Sequence, residues 1–462
     1  MKTKADRFLE NLKNKKIAVV GIGVSNAPVC KMLKDLGANV LACDKKSVSE
    51  LGEFGKILVD NDIPLKSGDD YMDNLDVDVI IRAPGLYYHN EKLENYRKSG
   101  VAVTSEMELF FELCPCKIYA ITGTDGKTTT TTIVTEMLKK SGKKVYKGGN
   151  IGTALLPLVF EMTADDVAVV ELSSFQLISM RQSPDVAAIT NIYPDHLNVH
   201  SDMNEYIGAK LNLLHHQNAF SKAVLNLDND ETNKMGDLVR GELLKFSTKS
   251  VPEKGSFLDN DGWLCFTDGV NIEKIVHKDE IKIPGMHNVE NYLTAISIVH
   301  GDVDNSHIAD VAREFGGVEH RIEFVRELDN VRYYNDSIAT SPASVTAGLR
   351  SFGRKIIIIA GGSDKQLDYS TLSGAINEYV KILVLMGDTA DKIESAVKSD
   401  KAYDEKNIKI LRANTMEQAV EIARMNASCG DVISLSPASA SFDKYRNFEE
   451  RGKHFKSIVL GL

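Results

Sequence analysis

Residues 117–132 read KIYAITGTDGKTTTTT, and this stretch decides the fold. A run of apolar residues leads into Gly123 and Gly126, which are followed by Lys127 and a run of threonines. The pattern predicts a buried strand, a glycine turn and a helix whose N-terminus faces the turn. Such a turn can direct backbone N–H groups at a phosphate, while Lys127 supplies a charge and Thr128 a hydroxyl for Mg²⁺. The sequence therefore predicts a triphosphate site in an α/β domain.

The predicted loop is shorter than the usual P-loop, because Ile121 stands where that motif has its first glycine. The alternative interpretation is a plain strand-to-helix turn whose lysine is only surface charge. Two glycines, a lysine and a run of hydroxyls at the end of one strand favour the phosphate loop.

Length and composition limit the classes of function. The chain has 462 residues, 43% of them hydrophobic, and a formal net charge of −10. The length predicts about three domains. The acidic balance argues against nucleic acid or an anionic membrane surface as a partner and leaves small anionic ligands open.

Cysteines and the N-terminus suggest a cellular location. The six cysteines have no CxxC spacing, and Cys114-Pro115-Cys116 alone supplies too few ligands for zinc, so we expect reduced thiols. The N-terminus is charged and lacks an apolar segment, and no apolar run is long enough to cross a bilayer. We expect a cytoplasmic protein without membrane insertion.

The chain alternates β-branched runs with helical stretches, which is typical of parallel sheets covered by helices on both faces. We predict an α/β protein with a Rossmann-like domain at 1–105, a P-loop ATPase-like domain with a mostly parallel sheet at 106–317, and a second Rossmann-like domain at 318–462. The predicted strands are 17–20, 40–43, 79–82, 167–171, 186–192, 331–334, 355–360, 382–386 and 432–435. Residues 240–284 predict an antiparallel excursion, followed by a helix at 288–300.

The turn after the first predicted strand is similar to half of a dinucleotide-binding fingerprint. It contains Gly21 and Gly23, but Asn26 replaces the third glycine. Asp44 lies where an acidic residue would hold a ribose. A nicotinamide-dependent oxidoreductase is therefore an alternative, although it leaves the central phosphate loop unexplained.

Three side chains of the central domain are candidates for chemistry, each with a plainer alternative. Glu171 ends a predicted strand at the edge where open α/β sheets bind ligands, and it could instead cap the next helix. His196 could bind Mg²⁺ or orient a phosphate, or could simply be a hydrogen-bonded histidine. Lys210 reads by default as a solvated helix lysine.

In the third domain, the segments 361–365 and 436–443 follow predicted strands and carry glycine, hydroxyls and a lysine. These groups suit the recognition of a carboxylate or phosphate, and they also occur in ordinary connecting turns.

Several longer motifs occur in a defined order along the chain. They are GTDGKTTT at 123–130, GGNIG at 148–152, ELSSFQL at 171–177, HNVEN at 287–291, EHRIE at 319–323 and YNDSIAT at 334–340. With these motifs the chain resembles the Mur ligases over nearly its whole length. ELSSFQL and SPASASFDKYRNFEERG at 436–452 are most similar to the members that add D-glutamate.

The resemblance implies an ATP-driven peptide bond in cytoplasmic peptidoglycan precursor synthesis. The carboxylate of UDP-N-acetylmuramoyl-L-alanine would take the γ-phosphate of ATP, and the amine of D-glutamate would then displace phosphate from the acyl phosphate. Closure of the third domain would complete the site, and the protein is expected to be a monomer. Another Mur ligase or a folylpolyglutamate-synthase-like enzyme, and a nucleotide-binding scaffold without catalysis, are the alternatives.

Matched position by position, the resemblance also implies cofactors and site residues. The cofactors are ATP, two Mg²⁺ ions and a carbamate on Lys210. The catalytic residues are Lys127, Glu171, His196 and Lys210, and the metal ligands are Thr128, Glu171, His196 and Lys210. The ATP contacts are Gly123, Thr124, Asp125, Gly126, Lys127, Thr128, Thr129, Asn288, Asn291, Arg321 and Asp336, with His320 beside them.

The two other substrates have their own implied residues. The UDP substrate is assigned Gly21, Gly23, Val24, Ser25, Asp44, Lys45, Pro84, Gly85, Asn150 and His196. D-Glutamate is assigned His320, Thr340, Lys365, Ser441 and Phe448. Two positions depart from the family pattern: Ile338 stands where a lysine is usual, and Asp125 where asparagine is frequent. Because isoleucine cannot bind an anion, Lys365 or another cation must cover that role, or substrate binding is looser than in relatives.

Overall fold

A computed structural model describes residues 4–462. Residues 1–3, which belong to the charged N-terminus and to the predicted first domain, lie outside the described part. The chain forms two compact units, one with the residues up to His277 and Glu290–Val311, the other with Lys278–Val289 and Ala312–Leu462. Both units consist of mostly parallel sheets with helices between the strands, which confirms the predicted α/β class.

The first sheet precedes the phosphate loop in the chain. Its elements are α1 (Lys4–Leu12), β1 (Lys16–Val20), α2 (Asn26–Asp35), β2 (Asn39–Asp44), α3 (Glu53–Asp60), β3 (Leu65–Ser67), β4 (Val79–Arg82), α4 (Glu91–Lys98), β5 (Ala102–Ser105) and α5 (Glu106–Leu113). The strands are parallel in the order β3-β2-β1-β4-β5. Ile17 and Val19 join one buried cluster and Ala18 and Val20 another, so both faces of β1 are covered.

The central sheet carries the phosphate loop. Its elements are β6 (Lys117–Thr122), α6 (Lys127–Lys140), β7 (Val145–Gly149), β8 (Val167–Glu171), α7 (Ser174–Leu177), β9 (Val186–Ile189), α8 (Met203–His215), β10 (Lys222–Asn226), α9 (Asp230–Lys234), β11 (Glu242–Ser247), β12 (Gly255–Leu258), β13 (Trp263–Thr267) and β14 (Ile272–His277). The order is β14-β13-β12-β11-β10-β9-β6-β8-β7. β6 therefore lies between β9 and β8, and its carboxyl end opens beside theirs.

Two helices follow in the chain, α10 (Met286–Val299) and α11 (Asn305–Glu314). The third sheet comes after them. Its elements are β15 (Glu323–Leu328), β16 (Val331–Asn335), α12 (Pro342–Ser351), β17 (Ile356–Ala360), α13 (Ser370–Tyr379), β18 (Val380–Leu385), α14 (Ala390–Ser399), β19 (Lys409–Arg412), α15 (Met416–Met425), β20 (Val432–Leu435) and α16 (Phe448–Gly461). The order is β15-β16-β20-β17-β18-β19, antiparallel at β15 and parallel elsewhere.

Two sequence-based expectations about strands were wrong. The predicted strand 186–192 ends at Ile189, because Asn191 leaves the ladder and its side chain accepts hydrogen bonds from the phosphate loop. Residues 240–284 do not begin as an antiparallel excursion: β11 pairs with β10 and β12 with β11 in parallel, and only β13 and β14 are antiparallel. Helix α9 connects β10 to β11 and permits their parallel pairing. The predicted domain boundaries after 105 and 317 stay predictions.

Candidate active site

The phosphate loop connects β6 to α6 and needs glycine at two positions. Gly123 has φ +151° and Gly126 has φ +79°, a region that favours glycine. A Cβ on Gly123 would lie 1.9 Å from Thr190 Oγ1, and one on Gly126 would lie 2.4 Å from Asn291 Oδ1. The turn therefore has no space for a side chain at either glycine. Helix α6 begins at Lys127, and the N–H groups of its first turn have no hydrogen-bond acceptor within the helix.

Residues after β9 hold the shape of this loop. Asn191 Oδ1 accepts hydrogen bonds from the backbone N–H groups of Thr124 at 3.2 Å and Asp125 at 2.8 Å. Thr190 Oγ1 donates to the carbonyl of Asp125 at 2.6 Å. Because these bonds fix the tip of the loop to the neighbouring strand end, contacts within the protein set the conformation of the turn.

Two lysines lie at the loop. Lys127 Nζ donates to the carbonyl of Thr124 at 2.6 Å. Lys210, from α8, is 1% exposed and its Nζ donates to the carbonyl of Gly123 at 2.7 Å and to Thr122 Oγ1 at 3.3 Å. The default interpretation of Lys210 as a solvated helix lysine is therefore wrong. Burial, aided by the positive charge of Lys127, lowers the pKa of Lys210 to about 7.

Glu171 lies at the carboxyl end of β8 and is 1% exposed. Its Oε1 accepts a hydrogen bond of 2.9 Å from Asn150 Nδ2, whereas Oε2 is buried without a hydrogen-bond partner among the described residues. The helix-capping alternative for Glu171 is wrong, because Ser173 caps α7 through a reciprocal capping box with Gln176. An unpaired buried carboxylate oxygen at a strand end is a candidate metal ligand.

His196 is placed by an aromatic neighbour. It has φ +55°, its side chain is 49% exposed, and its Nε2 lies 3.4 Å from Asp195 Oδ2. The ring of Phe175 lies 5.1 Å from that of His196 and stacks on the ring of His200 at 5.1 Å. Phe175 thus separates an exposed histidine from a buried one.

His200 belongs to a hydrogen-bonded chain that reaches the first sheet. Its Nδ1 pairs with Glu205 Oε2 at 3.0 Å and its Nε2 with Ser174 Oγ at 2.9 Å. Glu205 Oε1 in turn accepts a hydrogen bond of 2.5 Å from the hydroxyl of Tyr87, which follows β4. The start of α7, the start of α8 and the loop after β4 are therefore joined by side chains.

The loop between β1 and α2 is the candidate site for the UDP substrate. Asp44 Oδ2 accepts a hydrogen bond of 2.6 Å from the N–H of Ile22, and Asn26 Nδ2 donates to the carbonyl of Gly21 at 3.0 Å. A Cβ on Gly21 would lie 2.7 Å from Ala83 Cβ, so the turn passes close to the segment after β4. The loops after β1, β2 and β4 contain the other residues assigned to this substrate, which are Gly23, Val24, Ser25, Lys45, Pro84 and Gly85. Lys45 Nζ pairs with Asp69 at 3.2 Å.

In the second unit, the segment before β15 meets the end of β16. His320 is 3% exposed, has φ +65°, and its Nδ1 is 2.9 Å from Asn335 Nδ2. Asp336 is 4% exposed and its Oδ1 accepts from the N–H of Ile322 at 3.2 Å. Burial raises the pKa of Asp336 to about 7, and Arg321 partly opposes that rise. Arg321 itself is exposed.

The residues assigned to D-glutamate lie in loops of the same unit. Ser441 is buried, and Phe448 begins α16 with its ring 6.0 Å from that of His320. Thr340 and Ile338 are half-buried in the loop after β16. Lys365 is exposed, and its Nζ lies 5.2 Å from the centre of the Phe442 ring.

Buried Arg451 connects these loops. Its Nε donates to Ser337 Oγ, and two of its other N–H groups donate to the carbonyls of Ser439 and Ala440, all at 3.0 Å. A further N–H donates to the carbonyl of Ser337 at 2.9 Å. The two loops that follow β16 and β20 are therefore fixed to one guanidinium on α16.

Comparison with known proteins shows the family to which this chain belongs. The Mur ligase middle domain family matches residues 121–299, and the Mur ligase, glutamate ligase domain family matches residues 320–439. The chain is 48% identical over 465 residues to the UDP-N-acetylmuramoylalanine--D-glutamate ligase of Acetivibrio thermocellus, with 100% of both chains covered. It is 46% identical over 460 residues to the ligase of the same name from Clostridium kluyveri, with 99% of both covered. The chain belongs to the Mur ligase family.

A solved Mur ligase has the same fold. The UDP-N-acetylmuramate-alanine ligase of Thermotoga maritima matches with a TM-score of 0.58 at 18% identity, covering 97% of this chain and 100% of that one. At this identity the match shows the fold alone. The predicted resemblance to Mur ligases is confirmed by the relatives that match over the full length.

Membership of the Mur ligases, an ATP-dependent family, implies ATP and Mg²⁺ for this chain. Within residues 4–462, no group of three or more His, Cys, Asp or Glu side chains lies close enough to hold a metal ion. Mg²⁺ keeps waters and substrate phosphates among its ligands and needs only one or two protein oxygens. The free Oε2 of Glu171 is such an oxygen. Across residues 4–462, no helix of this Mur ligase combines the length and apolar character needed to span a membrane.

Sequence reasoning missed several residues that shape this Mur ligase site. These residues are Asn191, His200 and Arg451, which are buried or half-buried. Each forms hydrogen bonds with other groups of the protein, and none was singled out by a recognisable motif. Asn191 had one available signal, since it lies near the end of the predicted strand 186–192, at the ligand-binding edge. Arg451 lies within the quoted motif 436–452, but its partner Ser337 lies far from it in the chain.

Proposed function

We propose that this chain is an ATP-dependent ligase that joins D-glutamate to UDP-N-acetylmuramoyl-L-alanine in cytoplasmic peptidoglycan precursor synthesis. The reaction passes through an acyl phosphate. Full-length identity of 48% to a ligase of that name supports the choice of substrates. The single structural observation that carries the chemistry is the buried contact of Lys210 with the phosphate loop at 2.7 Å.

In this proposal the loop binds the triphosphate of ATP. The loop residues Gly123, Thr124, Asp125, Gly126, Lys127, Thr128 and Thr129 hold the phosphates, and the helix dipole of α6 favours their negative charge. Lys127 lies at the tip of this loop and neutralises the β- and γ-phosphates. Asp125 is exposed, so its carboxylate can stay in solvent. Asn291 lies against Gly126, and Asn288 on the same helix is assigned with it to the nucleotide.

The first chemical step brings two anions together. The alanyl carboxylate attacks the γ-phosphorus, the bond to the bridging oxygen of ADP breaks, and an acyl phosphate forms. Lys127 and the N–H groups of the loop offset the charge of the phosphates as it shifts toward ADP. The amine of D-glutamate then attacks the acyl carbon, loses a proton, and releases inorganic phosphate.

Mg²⁺, when bound, neutralises charge on the phosphates and orients them. Thr128, Glu171 and His196 are the residues that would hold it, together with a carbamate on Lys210. A carbamate forms when the neutral amine of Lys210 adds to CO₂ and releases a proton. A pKa near 7 supports this assignment, because much of the amine is then neutral at physiological pH. We expect two ions in the working complex.

The remaining substrates are assigned to the loops described above. The turn at Gly21 and Gly23, with Asp44 and Lys45, takes the UDP group, and Asn150, which donates to Glu171, lies near the sugar acid. D-Glutamate is assigned to Thr340, Lys365, Ser441 and Phe448, with His320 beside Phe448. Arg321 and Asp336 are assigned to ATP. The domain boundaries are proposed to lie after residues 105 and 317, and the active form is proposed to be a monomer.

The alternatives are less well supported. Two relatives that match over the full length are both named UDP-N-acetylmuramoylalanine--D-glutamate ligase, which argues against a different Mur ligase or a folylpolyglutamate-synthase-like enzyme. Against an oxidoreductase, Asp44 at the end of β2 already accepts a hydrogen bond from the N–H of Ile22 in the turn after β1.

Release of phosphate from ATP tests the proposal. The protein is incubated with ATP, Mg²⁺ and UDP-N-acetylmuramoyl-L-alanine against a panel of amino acids. We expect phosphate release that requires the UDP substrate and D-glutamate together. Equal turnover with L-glutamate or L-lysine would assign another ligase, and absence of release with every amino acid would favour a scaffold.

A further inference from the structure

Cys114 and Cys116 form a close thiol pair that the ligase reaction does not use. Their sulfur atoms are 3.5 Å apart, and Cys114 Sγ also lies 3.6 Å from the carbonyl oxygen of Cys116. Pro115 between them restricts the backbone. A disulfide needs a sulfur separation of about 2.05 Å, so the sulfurs must approach by about 1.5 Å. That movement is within reach of side-chain rotation.

The pair lies at a junction of the fold. Cys114 directly follows α5, and its N–H donates to the carbonyl of Phe110 at 2.8 Å. Cys116 directly precedes β6, whose Ile118 N–H donates to Asp185 Oδ2 at 2.8 Å. The segment carrying the sulfurs is thus a short connection with both ends anchored, which keeps the two thiols together.

Access and acidity differ between the two thiols. Cys116 is buried, whereas Cys114 is half-buried and lines a cavity of about 360 Å³ with Phe160 and Met162. The hydrogen bond from the Cys116 thiol lowers the pKa of Cys114 and outweighs the opposing effect of burial. The same bond, aided by burial, raises the pKa of Cys116. Cys114 is therefore the nucleophile of the pair, and Cys116 the resolving thiol.

We propose that Cys114 and Cys116 are a modification site at which peroxide closes the dithiol to an intramolecular disulfide. The Cys114 thiolate attacks one oxygen of hydrogen peroxide, the O–O bond breaks, and hydroxide leaves. The sulfenic acid on Cys114 is then attacked by the sulfur of Cys116, which loses its proton, and water leaves. The two thiols together lose two electrons and two protons, and the peroxide is reduced to water. An external dithiol reverses the reaction.

The other cysteines provide internal controls. Cys30, Cys43 and Cys265 are buried, and burial raises the pKa of each, so we expect them to react slowly. Cys429 is exposed, and its Sγ accepts a hydrogen bond of 3.4 Å from Asn330 Nδ2. It reports the reactivity of an accessible thiol that lacks a neighbouring thiol.

Mass spectrometry of the full chain tests the proposal. The folded protein is treated with hydrogen peroxide, its remaining thiols are blocked with N-ethylmaleimide, and it is digested with trypsin. The tryptic peptide 99–117 contains Cys114 and Cys116 and no other cysteine. We expect this peptide to lose two hydrogens, to resist blocking, and to regain both thiols after dithiothreitol. A peptide that carries two blocked thiols, or a sulfinic acid on Cys114, would overturn the proposal.

Two variants and a second probe separate the roles of the sulfurs. In Cys116→Ser, we expect Cys114 to be trapped as a sulfenic acid by dimedone, and in Cys114→Ser we expect Cys116 to stay reduced. Phenylarsine oxide, which bridges adjacent thiols, is expected to block the pair in the untreated protein and in Cys429→Ser but in neither single variant. Equal arsenical binding by Cys116→Ser and the parent chain would show that the thiols do not act as a pair.

Discussion

The ammonium group of Lys210 donates a 2.7 Å hydrogen bond to the carbonyl oxygen of Gly123, the first residue of the phosphate loop. One buried lysine is therefore fixed to the turn that the proposal assigns to ATP. The contact links α8 to the carboxyl end of β6. It places a positive group or, after addition of CO₂, a negative one at the same edge of the sheet. In the proposed reaction, the chemistry of the site therefore depends on the protonation of this one nitrogen.

Lys210→Met should change how stability depends on pH. Burial lowers the pKa of Lys210 from its ordinary value of 10.5 to about 7. Between these values the unfolded lysine keeps its proton and the folded lysine loses it, so the parent chain gains stability as pH rises from 7 to 10.5. Below pH 7 both states are protonated and the cost of burial is at its maximum. We expect Lys210→Met to be more stable than the parent at pH 6.5 by on the order of a few kcal/mol.

Urea unfolding at a series of pH values measures this difference. The advantage of Lys210→Met should shrink steadily toward pH 10. A difference that stays constant with pH would contradict the lowered pKa of Lys210.

Gly126→Ala should abolish nucleotide binding, and Gly142→Ala is its matched control. Both glycines have a positive φ, +79° and +85°, so each alanine costs about 1 kcal/mol of backbone strain. Only at Gly126 would the new Cβ also meet a side chain, Asn291 Oδ1 at 2.4 Å, whereas nothing lies within 4 Å at Gly142. Calorimetric titration with ATP should give near-normal affinity for Gly142→Ala and no measurable binding for Gly126→Ala. Equal affinity in the two variants would show that the loop does not hold the nucleotide.

Tyr87 and Glu205 should be coupled in unfolding experiments. Their 2.5 Å hydrogen bond joins the loop after β4 to α8. A hydrogen bond to a carboxylate stabilises by about 1.5–3 kcal/mol, so a double-mutant cycle of Tyr87→Phe and Glu205→Gln should give a coupling free energy of about that size. Tyr87→Phe combined with Glu136→Gln is the control, because Glu136 pairs with Lys139 instead. Additive effects of Tyr87→Phe and Glu205→Gln would show that the contact is absent in solution.

Lys365→Met should weaken the binding of D-glutamate. Isoleucine at 338 offers no charge, so in our proposal Lys365 is the cation that meets a substrate carboxylate. Loss of such a contact should raise the KM for D-glutamate by about tenfold and leave the KM for ATP unchanged. Steady-state kinetics with Lys453→Met, another exposed lysine of the same unit, is the control. An unchanged KM for D-glutamate in Lys365→Met would remove Lys365 from the substrate site.

Helices and strands that depend on the local sequence pattern could be predicted from the sequence. The strand at 167–171 has the predicted bounds, and a helix follows the glycine turn as predicted. The end of β9 was misplaced because Thr190 and Asn191 are bound to the phosphate loop, a contact between segments more than sixty residues apart. Burial of Lys210 was invisible to local reasoning for the same reason: its partners Thr122 and Gly123 come from another strand end.

The arginine on α16 shows the same limit. Arg451 forms hydrogen bonds with Ser337 and Ser439 in two separate loops. Nothing in its neighbours along the chain distinguishes it from a surface arginine of an amphipathic helix. Motif resemblance identified the loops, and only the three-dimensional arrangement identified the residue that fixes them.

Transfer of oxygen from substrate to phosphate tests the central claim most directly. UDP-N-acetylmuramoyl-L-alanine is prepared with a heavy-oxygen label in its carboxylate and is turned over with ATP, Mg²⁺ and D-glutamate. If the carboxylate takes the γ-phosphate before the amine attacks, the inorganic phosphate released must carry one labelled oxygen. Mass analysis that finds the peptide product but no label in the phosphate would contradict activation of the carboxylate by ATP at this loop.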